Sequence, residues 1–284
     1  MYAAVDQVTI SEGLPVSVVC EVLSVSRSGF YAWQSNGLSE REARDEELEV
    51  LIRDVFWQHR RRYGARRIAQ ELAVLGERCG VARVARFLEK QGLKAIQPKS
   101  YRPRTTNSRH KLGYSPNLLK GREAPSRTNE VWVADITYIP LRGGRFGYLS
   151  VLMDLYSRCI VGFDYQESMT VDLVLASLRK AIRTRQPGAH LIHHSDRGGQ
   201  YAAADYRAVL RRAQIVQSMS NADNCYDNAF MESCFGTMKT ELELSEYADS
   251  LEAVRELSSY IAYYNQNRRH SSLGYLTPAE FESH

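Results

Sequence analysis

The sequence predicts an α/β protein in two parts. An all-α, basic N-terminal region precedes a five-stranded mixed sheet flanked by helices. Three observations carry this. From residue 131, segments of strand and helix pattern follow in the order strand, strand, strand, helix, strand, helix, strand, helix. Before residue 95 the apolar residues recur only at helical spacing. Between these parts, Pro98, Pro103, Pro116 and Pro125 stand among Lys, Arg, Ser, Thr and Asn with no period. The expected divisions are a helical region at 1–58, a basic helix-turn-helix at 59–94, a basic linker at 95–128, the sheet domain at 129–245 and a C-terminal helix with basic tail at 246–284.

The elements follow in order. Residues 16–23 and 26–33 read as a helix pair, with Phe30, Tyr31 and Trp33 packing locally. A charged helix spans 39–57, with Ser39 and Glu42 as its capping box. Residues 66–75 place Ile68, Leu72 and Leu75 on one face, and 81–91 do so with Val81, Val84, Ala85 and Leu88. Gly76 and Gly80 break the chain between them, which gives two short Arg-rich helices around a tight turn. Strands are expected at 131–139, 147–156 and 159–166, with Arg142-Gly143-Gly144-Arg145 as a hairpin turn. A helix capped by Thr170 runs to 184, a strand spans 190–194, a helix 203–213 and a short strand 215–218. Helices at 225–242 and 250–267 complete the chain. This order matches the ribonuclease H-like fold.

Charge is distributed unevenly. The chain of 284 residues carries a formal +4, yet residues 60–111 hold 15 Lys or Arg against Glu71, Glu77 and Glu89, a net +12 that leaves −8 elsewhere. Such asymmetry indicates a polyanion-binding segment joined to a more acidic body. The five cysteines are scattered, without a Cys-x-x-Cys pair, so neither a disulfide framework nor structural zinc is expected. No apolar run reaches membrane length and no signal pattern opens the chain. A cytoplasmic, nucleoid-associated protein with reduced thiols and no membrane partner is the expectation.

Three acids carry the chemistry: Asp135 in a buried strand, Asp196 at a strand end and Glu232 on a helix, with 35 residues between the last two. Phosphodiester cleavage and strand transfer are in-line displacements, in which two divalent ions stabilise the attacking and leaving oxygens. Mg²⁺ takes oxygen ligands and keeps waters and substrate phosphates, so three carboxylates with one shared suffice for two ions. On the predicted helix, Cys225, Asn228, Glu232, Gly236 and Lys239 share one face, and Phe230, Met231, Cys234 and Met238 should face the core. Lys239 then suits a DNA phosphate near the metals, although a solvated lysine is the bland alternative. Asp154 reads as structural, paired with Arg158; Asp164, Asp172 and Asp205 read as ordinary strand-end or helix-start acids. His193 and His194 point to opposite strand faces, so only one of them can orient Asp196 or a phosphate.

These residues carry a resemblance. Tyr63-Gly64-Ala65-Arg66-Arg67-Ile68, Trp132-Val133-Ala134-Asp135-Ile136-Thr137-Tyr138 and His193-His194-Ser195-Asp196-Arg197-Gly198-Gly199-Gln200-Tyr201 resemble motifs of one family. Asp227-Asn228-Ala229-Phe230-Met231-Glu232-Ser233 and the segment from Tyr264 through Arg268-Arg269-His270 to Tyr275 extend the match over nearly the whole chain. The family is the integrase-core transposases of bacterial insertion sequences in family three, encoded by the second reading frame and related to retroviral integrases. The resemblance implies a DDE transposase that uses two Mg²⁺ (or Mn²⁺) ions, with the triad on Asp135, Asp196 and Glu232 and the basic residue seven later on Lys239. It further implies inverted-repeat ends and target DNA as substrates, a homo-oligomer on DNA and an upstream-frame partner or fusion. Candidate DNA contacts are Lys239, Asn228, His194, Arg62, Tyr63, Arg66, Arg67, Arg268, Arg269 and His270. Two other readings compete: a DNA-binding regulator without chemistry, motivated by residues 60–111, and a ribonuclease H-type nuclease acting on RNA in hybrids.

Overall fold

The computed structural model describes residues 1–36, 39–97, 113–220, 229–243 and 246–284. The chain forms two compact units, Met1–Ala95 and Ile96–His284. The first is all-α. Helices α1 (Tyr2–Glu12), α2 (Val16–Val22) and α3 (Arg27–Asn36) close over Val5, Val19, Cys20 and Phe30, with Tyr2 and Trp33 against them. Tyr31, by contrast, is exposed.

The second helical cluster holds α4 (Glu40–Gln58), α5 (Ala65–Val74) and α6 (Val81–Lys90). The Ser39 hydroxyl accepts from the Glu42 amide and the Glu42 carboxylate accepts from the Ser39 amide, so the capping box is complete. The expected boundary at 58 does not divide the packing. Leu48, Ile52, Val55 and Phe56 of α4 share one core with Ile68 and Leu72 of α5 and with Val84, Phe87 and Leu88 of α6. Two ten-residue helices cannot bury their stripes on each other alone, and α4 supplies the third wall.

The second unit is a five-stranded sheet in the order β3-β2-β1-β4-β5. The strands are β1 (Val131–Leu141), β2 (Arg145–Asp154), β3 (Ile160–Gln166), β4 (Ile192–Ser195) and β5 (Val216–Met219). β1 lies at the centre, antiparallel to β2 and parallel to β4. The hairpin between β1 and β2 turns through Gly143 and Gly144, whose φ of 77° and 71° suit glycine. Helices α7 (Val171–Arg185), α8 (Gly199–Ala202) and α9 (Ala204–Arg212) cover one face; α10 (Ala229–Glu241) and α11 (Ser250–Gln266) cover the other. Side chains alternate accordingly along β1. Val131 and Val133 enter the core beneath α10 and α11, while Trp132 and Ala134 enter the core beneath α7 and α9.

Several expectations change in detail. Thr170 occupies the N-cap of α7 without a side-chain cap bond. Asp154 is fully buried and accepts from the amides of Asn129, Tyr156 and Ser157, with Arg185 3.9 Å away; Arg158 donates only its backbone amide, to the Asp154 carbonyl. Asp154 is therefore a corner-forming acid, and the Arg158 guanidinium feels its charge without a hydrogen bond to it. The C-terminal segment is no appendage, since Leu257, Tyr260, Ile261 and Tyr264 of α11 belong to the sheet core. The last helix, α12 (Pro278–Ser283), is tied on by Glu282, which accepts from both Arg185 Nη atoms at 2.6 and 2.7 Å. Residues 113–119 of the expected linker line β5, with Ser115 donating to Gln217 and the Leu118 amide to Ser218. Among the described residues Cys20, Cys79, Cys159 and Cys234 are free, and no helix is long and apolar enough to cross a membrane.

Candidate active site and nucleic-acid interface

Strand register brings Asp135 and Asp196 to adjacent backbone positions. β1 and β4 run parallel and pair from Val131↔Ile192 to Ala134↔Ser195. The next residue on each strand is an aspartate, so the two carboxylates stand at adjacent positions where the parallel pairing ends. Asp135 also pairs across β1–β2 with Val151, a residue of the core that α10 covers. Local bonds orient both acids: Asp135 accepts from the Ile136 amide at 2.8 Å and Asp196 from the Gly198 amide at 2.9 Å. The fully buried Tyr201 sits within electrostatic reach of both. Burial first, then Asp135, Tyr206 and Asp196, raise its phenol well above the ordinary value and keep the hydroxyl protonated beside the pair.

Helix α10 carries Glu232 and Lys239. Met231, Cys234, Phe235 and Met238 are buried against the sheet, and Glu232 and Gly236 are exposed. Phe230 departs from the expected core face. It is 43% exposed, and the Arg158 guanidinium lies over its ring at 4.1 Å. Lys239 is half-buried; burial lowers its pKa, and the nearby Asp135 carboxylate acts to raise it. One face of α10 thus brings an ammonium toward the aspartate pair. Among the described residues no three His, Cys, Asp or Glu stand together as a metal-holding group. Asn228 lies outside the described residues.

The remaining candidate DNA contacts divide by burial. Arg66 is exposed, while Arg62 and Arg67 are partly so. Tyr63 is a core residue, fully buried, stacked on His59 at 3.9 Å and covered by Arg67 at 5.5 Å. His194 is fully buried in β4 and bonded through Nδ1 to Ser218 at 2.8 Å, and His193 bonds Tyr206 at 2.8 Å. Arg268, Arg269 and His270 are 5–7% exposed. Arg268 grips Glu241, and Arg269 donates to the Tyr275 carbonyl and Glu280. Tyr63, His194 and the Arg-Arg-His segment are therefore internal supports instead of a DNA-facing surface. A basic residue and a buried one look alike in a motif, and only tertiary packing separates them.

One group escaped the sequence reading. Arg41 of α4 and Arg83 and Arg86 of α6, with Ala82, line an open cavity of about 520 Å³. Arg83 donates from Nε to Asp45 at 3.0 Å, which holds its fork in place. Three guanidiniums against one carboxylate leave a net positive cleft suited to phosphate. The signal available in sequence was the spacing of Arg83 and Arg86, three residues apart on one helix face.

Comparison with known proteins gives consistent matches. A family model described as "Integrase core domain" matches residues 125–225, and a second of the same description matches 213–278. A model described as "HTH-like domain" matches residues 42–101, which takes in most of α4. An uncharacterized 31 kDa protein of insertion element IS600 from Shigella sonnei is 43% identical over 266 residues, covering 93% of this chain and 97% of that protein. Transposase InsF for insertion sequence IS3A of Escherichia coli (strain K12) is 37% identical over 272 residues, covering 94% of each. Among solved structures, the HTLV-2 integrase catalytic core domain in complex with magnesium matches with a TM-score of 0.44 and 13% identity, covering 55% of this chain and 98% of that one.

Proposed function

The chain belongs to the IS3-family insertion-sequence transposases, DDE-type polynucleotidyl transferases with an integrase core and an HTH-like domain, and from that premise we propose that Asp135, Asp196 and Glu232 are its catalytic carboxylates. The observation that carries this is the strand register, in which Ala134↔Ser195 leads directly to Asp135 beside Asp196. The reaction is cleavage and strand transfer at the inverted-repeat ends of an insertion sequence. Double-stranded end and target DNA are the substrates, and a homo-oligomer bound on DNA is the working form. An upstream-frame partner or fusion and action in the bacterial cytoplasm complete the reading.

The donor set fits a hard divalent cation. Asp135 and Asp196 offer only oxygen, side by side, and Glu232 is the third carboxylate on the helix that packs over β1. Two Mg²⁺ (or Mn²⁺) ions would supply Lewis-acid stabilisation of the attacking and leaving oxygens. Lys239, on the same helix and in reach of Asp135, is suited to hold a DNA phosphate beside the pair. The Tyr201 hydroxyl stands near both aspartates as a protonated donor. In the N-terminal unit, Arg66 and the Arg41–Arg83–Arg86 cleft are the surfaces best suited to phosphates.

The test is direct. Asp135→Asn, Asp196→Asn and Glu232→Gln chains are assayed with Mg²⁺ or Mn²⁺ on duplexes carrying the element's ends. Cleavage and transfer should each fall by more than about 10³-fold, with DNA binding retained. Normal cleavage by any one of the three variants would remove that residue from the triad. Robust end-specific nicking by the unaltered chain would also exclude a purely regulatory role.

A further inference from the structure

The helix that carries Glu232 and Lys239 ends at Glu241, and Glu241 is held by a buried ion pair. Arg268, in the loop after α11, donates from Nε to both Glu241 oxygens at 2.9 and 3.0 Å and from Nη2 to Oε1 at 2.8 Å. The Tyr260 hydroxyl donates to Oε2 at 3.0 Å. Glu241 and Arg268 are 7% and 5% exposed. Arg268 is itself fixed from behind: its guanidinium lies over the Tyr264 ring at 5.6 Å, and Nη1 is 3.3 Å from His270 Nδ1. Its backbone amide bonds the Tyr263 carbonyl at 2.9 Å.

This pair constrains α10 differently from the apolar contacts of the helix. Met231, Cys234, Phe235 and Met238 anchor the helix by apolar burial, which has no direction and tolerates small slides and rotations. A two-pronged guanidinium–carboxylate contact has fixed geometry. Replacing a buried ion pair by apolar groups is often neutral for stability, so stability alone does not account for it. Glu241 lies two residues past Lys239 and nine past Glu232, so a shift at the helix end moves both. At the opposite end, Phe230 is gripped by Arg158.

We propose that Arg268 is a positioning residue for strand cleavage: through Glu241 it sets the axial and rotational position of α10, and so where Glu232 and Lys239 stand relative to Asp135 and Asp196. This inference rests on the triad reading above. The role differs from the DNA contact that the Arg-His-rich segment implies, because Arg268 acts from inside the core and touches no substrate.

Two full-length variants test it. Arg268→Lys keeps the charge and loses the two-pronged grip; Arg268→Met with Glu241→Gln removes both charges and leaves no buried unpaired ion. Each is measured by amide hydrogen exchange and by Mn²⁺-supported, single-turnover cleavage of end-bearing duplex over a range of DNA concentrations. The expected result is a folded chain with unchanged exchange in β1 and β2, and about tenfold faster exchange in α10. The cleavage rate constant should fall roughly 10- to 100-fold at unchanged half-saturating DNA concentration, with Arg268→Lys the milder of the two. Unchanged α10 exchange and unchanged cleavage in the double variant would overturn the proposal. So would loss of the whole fold in both variants, or weakened DNA affinity with a normal rate constant. If the Asp135→Asn, Asp196→Asn or Glu232→Gln chain cleaves normally, the triad reading falls, and the exchange measurement alone decides the grip on α10.

Discussion

At the scale of single residues, Lys239 shows how two opposed effects define one group. Burial lowers its pKa and the Asp135 carboxylate acts in the other direction. Replacing Asp135 by Asn leaves burial unopposed, so the Lys239 pKa should drop further; NMR titration of the labelled lysine side chain reads this, and an unchanged value would separate the two groups. Lys239→Ala should slow cleavage by about tenfold or more while changing stability little. Single-turnover kinetics beside urea denaturation distinguishes this from a solvated lysine, for which the rate would not move. Phe230 teaches a related lesson. Helical spacing puts it with Met231 and Cys234, yet it is 43% exposed beneath Arg158, because the apolar stripe is narrower than the hydrophobic residues available.

Among elements, β3 and α7 pack at a distance set by one glycine. A Cβ on Gly162 would stand 2.5 Å from the Ser177 carbonyl oxygen and 2.8 Å from the Ala181 Cβ. Gly162→Ala should therefore destabilise the sheet unit by about 1–3 kcal/mol, read as a lower urea midpoint at unchanged slope. In the helical unit, α4 joins α5 and α6 in one core and contributes Arg41 to the cleft with Arg83 and Arg86. Converting Arg83 and Arg86 to Gln should reduce the slope of log affinity against log salt by about 0.9 for each DNA phosphate that these side chains neutralise. A salt slope equal to that of the unaltered chain would put the DNA path elsewhere, with Arg66 of α5 the next surface to test.

For the molecule as a whole, the interior of the sheet unit carries its own pH dependence. His193 is fully buried, and burial first, then neighbouring His194, lower its pKa from 6.5 to about 3. The folded chain keeps this ring neutral where the unfolded chain takes up a proton. Stability is thus fully present above about pH 6.5 and falls as the pH drops from there toward about 3, by up to ~1.4 kcal/mol per pH unit. Urea midpoints measured across that window should fall, and His193→Gln, which can still bond Tyr206, should flatten the decline. An equal decline in the variant would assign it to other groups.

Element order, the five strands, the capping box at Ser39 and the uneven charge were legible in the chain because each depends on local period, local hydrogen bonding or simple counting. So were the strand and helix that carry the candidate acids, since alternation and spacing are properties of neighbouring residues. What only tertiary structure decided was which side chains end inside. Arg268, His194 and Tyr63 read as DNA-facing in their motifs and are buried, held by Glu241, Ser218 and His59 respectively. Those partners lie on other elements or on the far side of a turn, so no local pattern records them. The adjacency of Asp135 and Asp196 is likewise a product of parallel strand pairing between residues some sixty positions apart. Sequence determined which groups exist and on which elements; long-range pairing and burial determined which of them meet.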